Sequence, residues 1–381
     1  MKPPALTLAN AQSVSPFDDR LEALRGIASL MVCVFHALHV FAVPPRPAVI
    51  DTVLLFAFNP AAAVMFFFVL SGYVLGGSLA RDGSIVPYLV RRLFRLVPTF
   101  AVAVLFSFAC ERLFRLDPAP SGITAGFQHL FWPGPTCDDL WNNLLLGSNR
   151  VNGPTWTLYP ELLGSLMLPL VVAAHGRIES RWRWGLFAVI ATMLAVGPFR
   201  TLLWFYFGCF LAKEFAVLIA GRWRLALASF IAGLIGLEIA GTYNEFYTID
   251  IVIPSAVAGA LMIGAVASSR DTLLWATAAP LRFLGRISFS LYLVHWPIFY
   301  LCALVAVVCR PMVPTEIWGN LFVVVTSLLV AIGIAALSYR CIEAPSMRLG
   351  KLVARILSEL WTDWTVASSG RLTAPSRTPV A

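Results

Sequence analysis

The sequence predicts an all-α polytopic membrane protein of about ten transmembrane helices, with both termini in the cytoplasm. Three observations carry that expectation. Of the 381 residues, 59% are hydrophobic and only 13% charged, and the mean hydropathy is +0.79; a soluble domain carries roughly 25% charged residues. The apolar runs approach the ~20 residues a helix needs to cross lipid, and strand-like alternation is absent. Arginine recurs in every second loop between runs, which is the pattern of membrane topology.

The expected spans fall at about 22–43, 52–79, 91–110, 155–174, 184–198, 201–219, 223–240, 250–268, 284–309 and 318–341. One set of loops carries Arg81, Arg91, Arg92 and Arg95, then Arg177, Arg181 and Arg183, then Lys213, Arg222 and Arg224, then Arg270, Arg282 and Arg286. The segment after the last span adds Arg340, Arg348, Lys351 and Arg355. The alternate loops hold far fewer cations, so the rich set is expected to face the cytoplasm. Residues 1–20 read as a cytoplasmic tail without a cleavable signal, 21–350 as one transmembrane domain, and 351–381 as a cytoplasmic tail without fixed structure.

The net charge of +8 is spread over short loops, which argues against nucleic acid as a partner. The seven cysteines form no CxxC pair, and no metal site is expected. Cys110, Cys137 and Cys309 fall toward the outer side, where a disulfide among them stays an open question. The outer loop, about 111–154, is the one sizeable extramembrane segment and is rich in Asn, Pro, Gly and aromatics. Loops of that length are often functional.

The first span holds two residues that are costly in hydrocarbon, Arg25 and His36. Eleven residues make about three helical turns, so both side chains share a face with Ser29 and Val32, about 16 Å apart along the axis. Ionisable groups inside a membrane mark functional sites by default. Arg91, Arg92 and Arg95 converge on one side of the third span, where three guanidiniums suit a phosphate-rich ligand. Their alternative role is an anchor on anionic lipid. Glu161, in the fourth span, is expected about 9 Å below the outer boundary, near the depth of His36, where a carboxylate would orient an imidazole for proton transfer. In the ninth span Ser288, Tyr292 and His295 recur at i, i+4 and i+7, a polar stripe on one face, and Pro297 follows.

These segments, in this order, resemble the acyltransferase-3 family of bacterial membrane acyltransferases over about residues 20–350. The Arg25–His36 pair is similar to the family's first-helix motif. Phe66 to Leu75 resembles its Phe-Phe…Ser-Gly motif, and Arg92-Leu93-Phe94-Arg95 its paired-arginine motif. Thr155-Trp156-Thr157-Leu158 to Glu161 resembles its Thr-Trp-Ser-Leu…Glu motif, and Gly285 to Pro297 its Ser-Tyr-Ser…Tyr-Leu…His…Pro segment. Thr157 stands where the family usually has Ser, Phe289 where it usually has Tyr, and Pro160 immediately precedes the glutamate.

The resemblance implies an O-acyltransferase of the O-antigen or exopolysaccharide type. It would move an acyl group, usually acetyl, from cytoplasmic acyl-coenzyme A to a sugar hydroxyl of an envelope or exported glycan. Acyl-coenzyme A would be a donor substrate, with no resident cofactor. Arg25, Arg91, Arg92 and Arg95 would hold the coenzyme phosphates. His36, Glu161 and His295 would be catalytic, and Ser71, Trp156 and Tyr292, which lie in these motifs, would contact substrate. The runner-up is a proton-coupled transporter or flippase of a glycan precursor, with His36, Glu161 and His295 as its relay.

Overall fold

The computed structural model describes residues 18–41, 48–114, 131, 134–243, 248–269, 271–309 and 316–372. Every long element among them is helical, and eight helical stretches are long and apolar enough to cross a membrane. Helix α1, Asp19–Val40, is N-capped by Asp18, whose side chain accepts from the Arg20 backbone N–H at 3.0 Å. The expected second span divides in two, α2 (Ala48–Ala57) and α3 (Pro60–Asp82). The break has a local cause: Asn59 accepts from the Ala61 and Ala62 N–H groups, and Pro60 opens the next helix at a position where its missing N–H costs nothing. Gly83, at φ +64°, closes α3 in the left-handed conformation that glycine tolerates.

Helix α4 is Ile85–Leu113. Within the long outer loop, α5 (Cys137–Leu144) starts on a reciprocal cap between Thr136 and Asp139. Hydrogen bonds from the Thr136 backbone and hydroxyl hold the Asp139 carboxyl below its ordinary range. A 3₁₀ turn, Gly153–Thr157, then leads into α6, Leu158–Arg177.

The expected fifth and sixth spans are short. Helix α7 (Arg183–Val196) has 14 residues, about 21 Å of rise against a ~30 Å hydrocarbon core. The sixth is broken at Phe210 into α8 (Leu202–Cys209) and α9 (Leu211–Leu218). Helix α8 lies at the centre of the bundle, with Trp204, Phe205 and Tyr206 fully buried. It meets α3 at backbone distance, because a Cβ on Gly72 would strike the Phe205 carbonyl and one on Gly208 the Val69 carbonyl. Small residues at such crossings let helices associate where lipid provides no hydrophobic drive between them.

Helices α10 (Trp223–Thr242), α11 (Ile249–Ser268), α12 (Ala279–Cys309) and α13 (Glu316–Ser338) complete the bundle. A π turn, Tyr339–Glu343, joins α13 to α14, Ala344–Leu372. The tail expected to lack structure from 351 is therefore helical through Leu372; residues 373–381 lie outside the described part. Many large apolar side chains face outward, among them Leu170 (72% exposed) and Val217 (76%), as a lipid-facing surface requires. Cys110 and Cys137 are both free thiols, so neither joins the disulfide left open in the sequence.

Helices α1 and α12 run parallel from the Arg-rich face and pack most extensively against each other. Gly26 and Gly285 make this possible: a Cβ on Gly26 would meet the Gly285 amide, and one on Gly285 the Glu22 carbonyl. The close seam lays the polar stripe of α12 beside the Arg25–His36 face of α1.

Candidate active site

A cavity of about 420 Å³ opens toward the Arg-rich face between α1, α3, α4, α6 and α12. Its wall carries the guanidiniums of Arg25, Arg81, Arg91, Arg92 and Arg95, the ammonium of Lys213, and the carboxylates of Asp18, Glu22 and Glu161. The sequence singled out Arg25, Arg91, Arg92 and Arg95, and all four line this space. Arg81 and Lys213 were counted only as topology signals, because they come from the far ends of α3 and α9. Nothing in their local sequence says that those ends converge.

Arg25 is fixed on α12: its Nε donates to Ser288 Oγ at 2.9 Å and its Nη2 to the Gly285 carbonyl at 3.1 Å. One turn on, Ser29 donates to the Ser288 carbonyl at 3.0 Å. Arg92 is buried. Its Nε donates to Ser165 Oγ at 3.0 Å and its Nη2 to Glu161, with which it forms an ion pair. The Arg92 charge is thereby compensated, which a buried guanidinium requires.

The expected approach of Glu161 to His36 does not occur. Glu161 belongs to the cavity wall and is committed to Arg92. The reason lies in the segment before it. Gly153–Thr157 does not lie on the surface; it packs into the bundle beside α12. The Gly153 Cα packs on the Trp296 ring, and the Pro154 carbonyl accepts from Tyr292 Oη at 3.1 Å. The helix that follows starts deep, so its first-turn carboxylate points to the Arg-rich side.

Two asparagines of the outer loop hold this re-entrant turn, and both are fully buried. Asn143 Nδ2 donates to Thr155 Oγ1 at 2.8 Å, and its Oδ1 accepts from the Asn152 backbone N–H at 2.9 Å. Asn152 Nδ2 donates to Ser107 Oγ and to the Leu293 carbonyl, each at 3.0 Å. An Asn-rich loop reads as solvated, so composition hides these anchors.

The partner of His36 is His295. His36 Nδ1 and His295 Nε2 lie 3.0 Å apart, with ring planes within 10° of parallel. His295 is fully buried, and its Nδ1 lies 3.1 Å from the Leu291 carbonyl. A carbonyl only accepts, so Nδ1 of His295 carries the proton and its Nε2 is the acceptor in the neutral ring. His36 must then donate through Nδ1, which leaves its Nε2 as a free lone pair. The sequence places both histidines near mid-membrane on separate helices and makes both catalytic candidates, without showing that their rings touch.

Tyr292 separates the cavity from this pair. It lines the cavity's deep end with Phe67 and Thr157, and its ring lies 6.1 Å from that of His295. Ser71 also lines the cavity, whereas Trp156 is packed against the apolar core and does not border it. Glu343 is buried on the π turn and accepts from Ser290 Oγ at 2.7 Å.

Comparison with curated proteins and with solved structures returns no match. The family model described as an acyltransferase domain (acyltransferase-3) matches residues 18–340, which hold every motif discussed above. The chain belongs to the acyltransferase-3 family and is a membrane acyltransferase, transferring groups other than amino-acyl groups.

Proposed function

We propose that this chain moves an acyl group, most simply acetyl, from acyl-coenzyme A on the Arg-rich, cytoplasmic side to a hydroxyl of an envelope or exported glycan. The membrane would be the bacterial inner membrane. The observation that carries this reading is one seam of polar side chains along α1 and α12. It joins a cation-lined cavity at Arg25 to an unprotonated imidazole nitrogen at His36, about 16 Å further along the axis.

In this reading Arg25, Arg91 and Arg95 neutralise coenzyme phosphates, with Arg92 held in place by Glu161 and Ser165. Guanidinium forks suit phosphate oxygens. The acyl-bearing arm extends past Ser71 to Tyr292, which must release the Pro154 carbonyl for the thioester to reach His36. Nε2 of His36 accepts the proton of the attacking hydroxyl while its oxygen bonds to the thioester carbonyl carbon. The carbon–sulfur bond then breaks, and His36 returns the proton to the departing thiolate. His295 supports the transient imidazolium through its Nε2 lone pair, oriented by its own bond to Leu291. Glu161 thus positions a cation and takes no proton. In this reading Ser71 and Tyr292 touch the donor, whereas Trp156 packs against the apolar core away from that cavity.

The experiment is a titration of acetyl-coenzyme A with the purified protein in proteoliposomes. Arg95→Ala is expected to raise the donor KM at least tenfold with a smaller change in kcat. A donor KM within twofold of wild type returns the arginines to the role of topology anchors.

A further inference from the structure

On the far side of the histidine pair stand three buried polar groups without hydrogen-bond partners among the described residues, and the mechanism above uses none of them. The Trp296 ring meets His36 edge-on, with centroids 5.5 Å apart, and its indole Nε1 has no hydrogen-bond acceptor. Asn152 sits beside Gly153, which packs on that same indole; its Nδ2 is doubly engaged, but its Oδ1 accepts nothing. Glu111 lies one helical turn beyond Ser107, the residue that holds Asn152. It is 2% exposed, and neither carboxylate oxygen has a hydrogen-bond partner. Phe131 covers the other side of Trp296, with centroids 5.0 Å apart.

Such groups are rare in folded proteins, because leaving a buried donor or acceptor unmade is costly. Here one donor and two acceptor groups follow one another outward from His36, from the Trp296 ring that meets it, through Asn152 beside Gly153, to Glu111 one turn beyond Ser107. Their complement is a ligand whose groups both donate and accept, with an apolar face for the indole. A sugar ring with free hydroxyls has that character.

We propose that Glu111, Asn152 and Trp296 form the acceptor subsite, and that it takes a polyhydroxylated sugar. This rests on the acyl-transfer reading given above and adds to it the residues that hold the acceptor. The Glu111 carboxyl exchanges hydrogen bonds with sugar hydroxyls. Asn152 Oδ1 accepts a further hydroxyl, and Trp296 Nε1 donates to a ring or hydroxyl oxygen. The hydroxyl to be acylated then lies toward His36 Nε2.

The test compares wild type with Glu111→Met and Trp296→Phe in proteoliposomes supplied with acetyl-coenzyme A and with chemically deacylated surface glycan from the producing cell. Each variant keeps an apolar body in place and removes the group that hydrogen-bonds. The acceptor KM is expected to rise at least tenfold in both, about the loss of one hydrogen bond to a charged or buried group, while the donor KM moves less than twofold. An acceptor KM within twofold of wild type overturns the subsite and leaves the acyl-transfer reading standing. Donor and acceptor KM rising together would mark these residues as structural and overturn it too. A wild-type protein that never consumes acetyl-coenzyme A would overturn the acyl-transfer reading itself.

Discussion

The two ends of the α1–α12 seam treat charge in opposite ways. At the Arg-rich end the deepest cations are already matched: Arg25 by Ser288 and Gly285, Arg92 by Glu161 and Ser165. At the far end Glu111, Asn152 Oδ1 and Trp296 Nε1 have no hydrogen-bond partner among the described residues. The matched end is a permanent vestibule, stable with or without ligand, whereas the unmatched end carries a penalty that a bound molecule would relieve. Removing a group from the first end should therefore cost stability, and removing one from the second should cost affinity for the acceptor.

The largest expected effect follows from breaking the matched end. Glu161→Ala strands the buried Arg92 guanidinium, and such losses run to about 3–5 kcal/mol. A thermal melt in detergent should show a large drop in midpoint, and a melt like wild type would mean that Arg92 is hydrated. The crossing that supports the vestibule comes next. Gly208→Val drives a side chain into the Val69 carbonyl, and overpacking of this kind costs about 1–3 kcal/mol. The same melt reads it. A loss no larger is expected from Ser290→Ala, which takes away a hydrogen bond to the buried Glu343 carboxylate, about 1–3 kcal/mol if no water replaces the hydroxyl. The smallest comes from the exposed pair Arg181–Glu179, whose side chains are 72% and 69% accessible. Arg181→Ala should leave the melt unmoved, because exposed pairs of this kind contribute little; a clear shift there would blur the contrast between matched and unmatched ends.

How much of this was legible in the sequence depends on the kind of signal. Helical periodicity put Arg25 and His36 on one face and gathered Arg91, Arg92 and Arg95 around one mouth, and the cavity wall contains all four arginines. Periodicity within one helix does not say which residues of another helix it meets. The His36–His295 contact depends on the glycine crossing at Gly26 and Gly285, and Glu161 turned away from His36 because Gly153–Thr157 re-enters the bundle. The break at Asn59-Pro60 was readable in principle as a cap followed by proline. The break at Phe210 and the π turn at 339–343 have no comparable mark. Asn143 and Asn152 were hidden by composition, since residues typical of solvated loops here secure a buried turn.

The account turns on the imidazole of His36 as the group that handles the acceptor's proton. The measurement that tests this most directly is glycan acylation, by mass spectrometry, in cells carrying His36→Ala, with the variant quantified in the membrane. Loss of one acyl group per repeat while the variant accumulates at the wild-type level is the predicted result. Full acylation with His36 absent would contradict it.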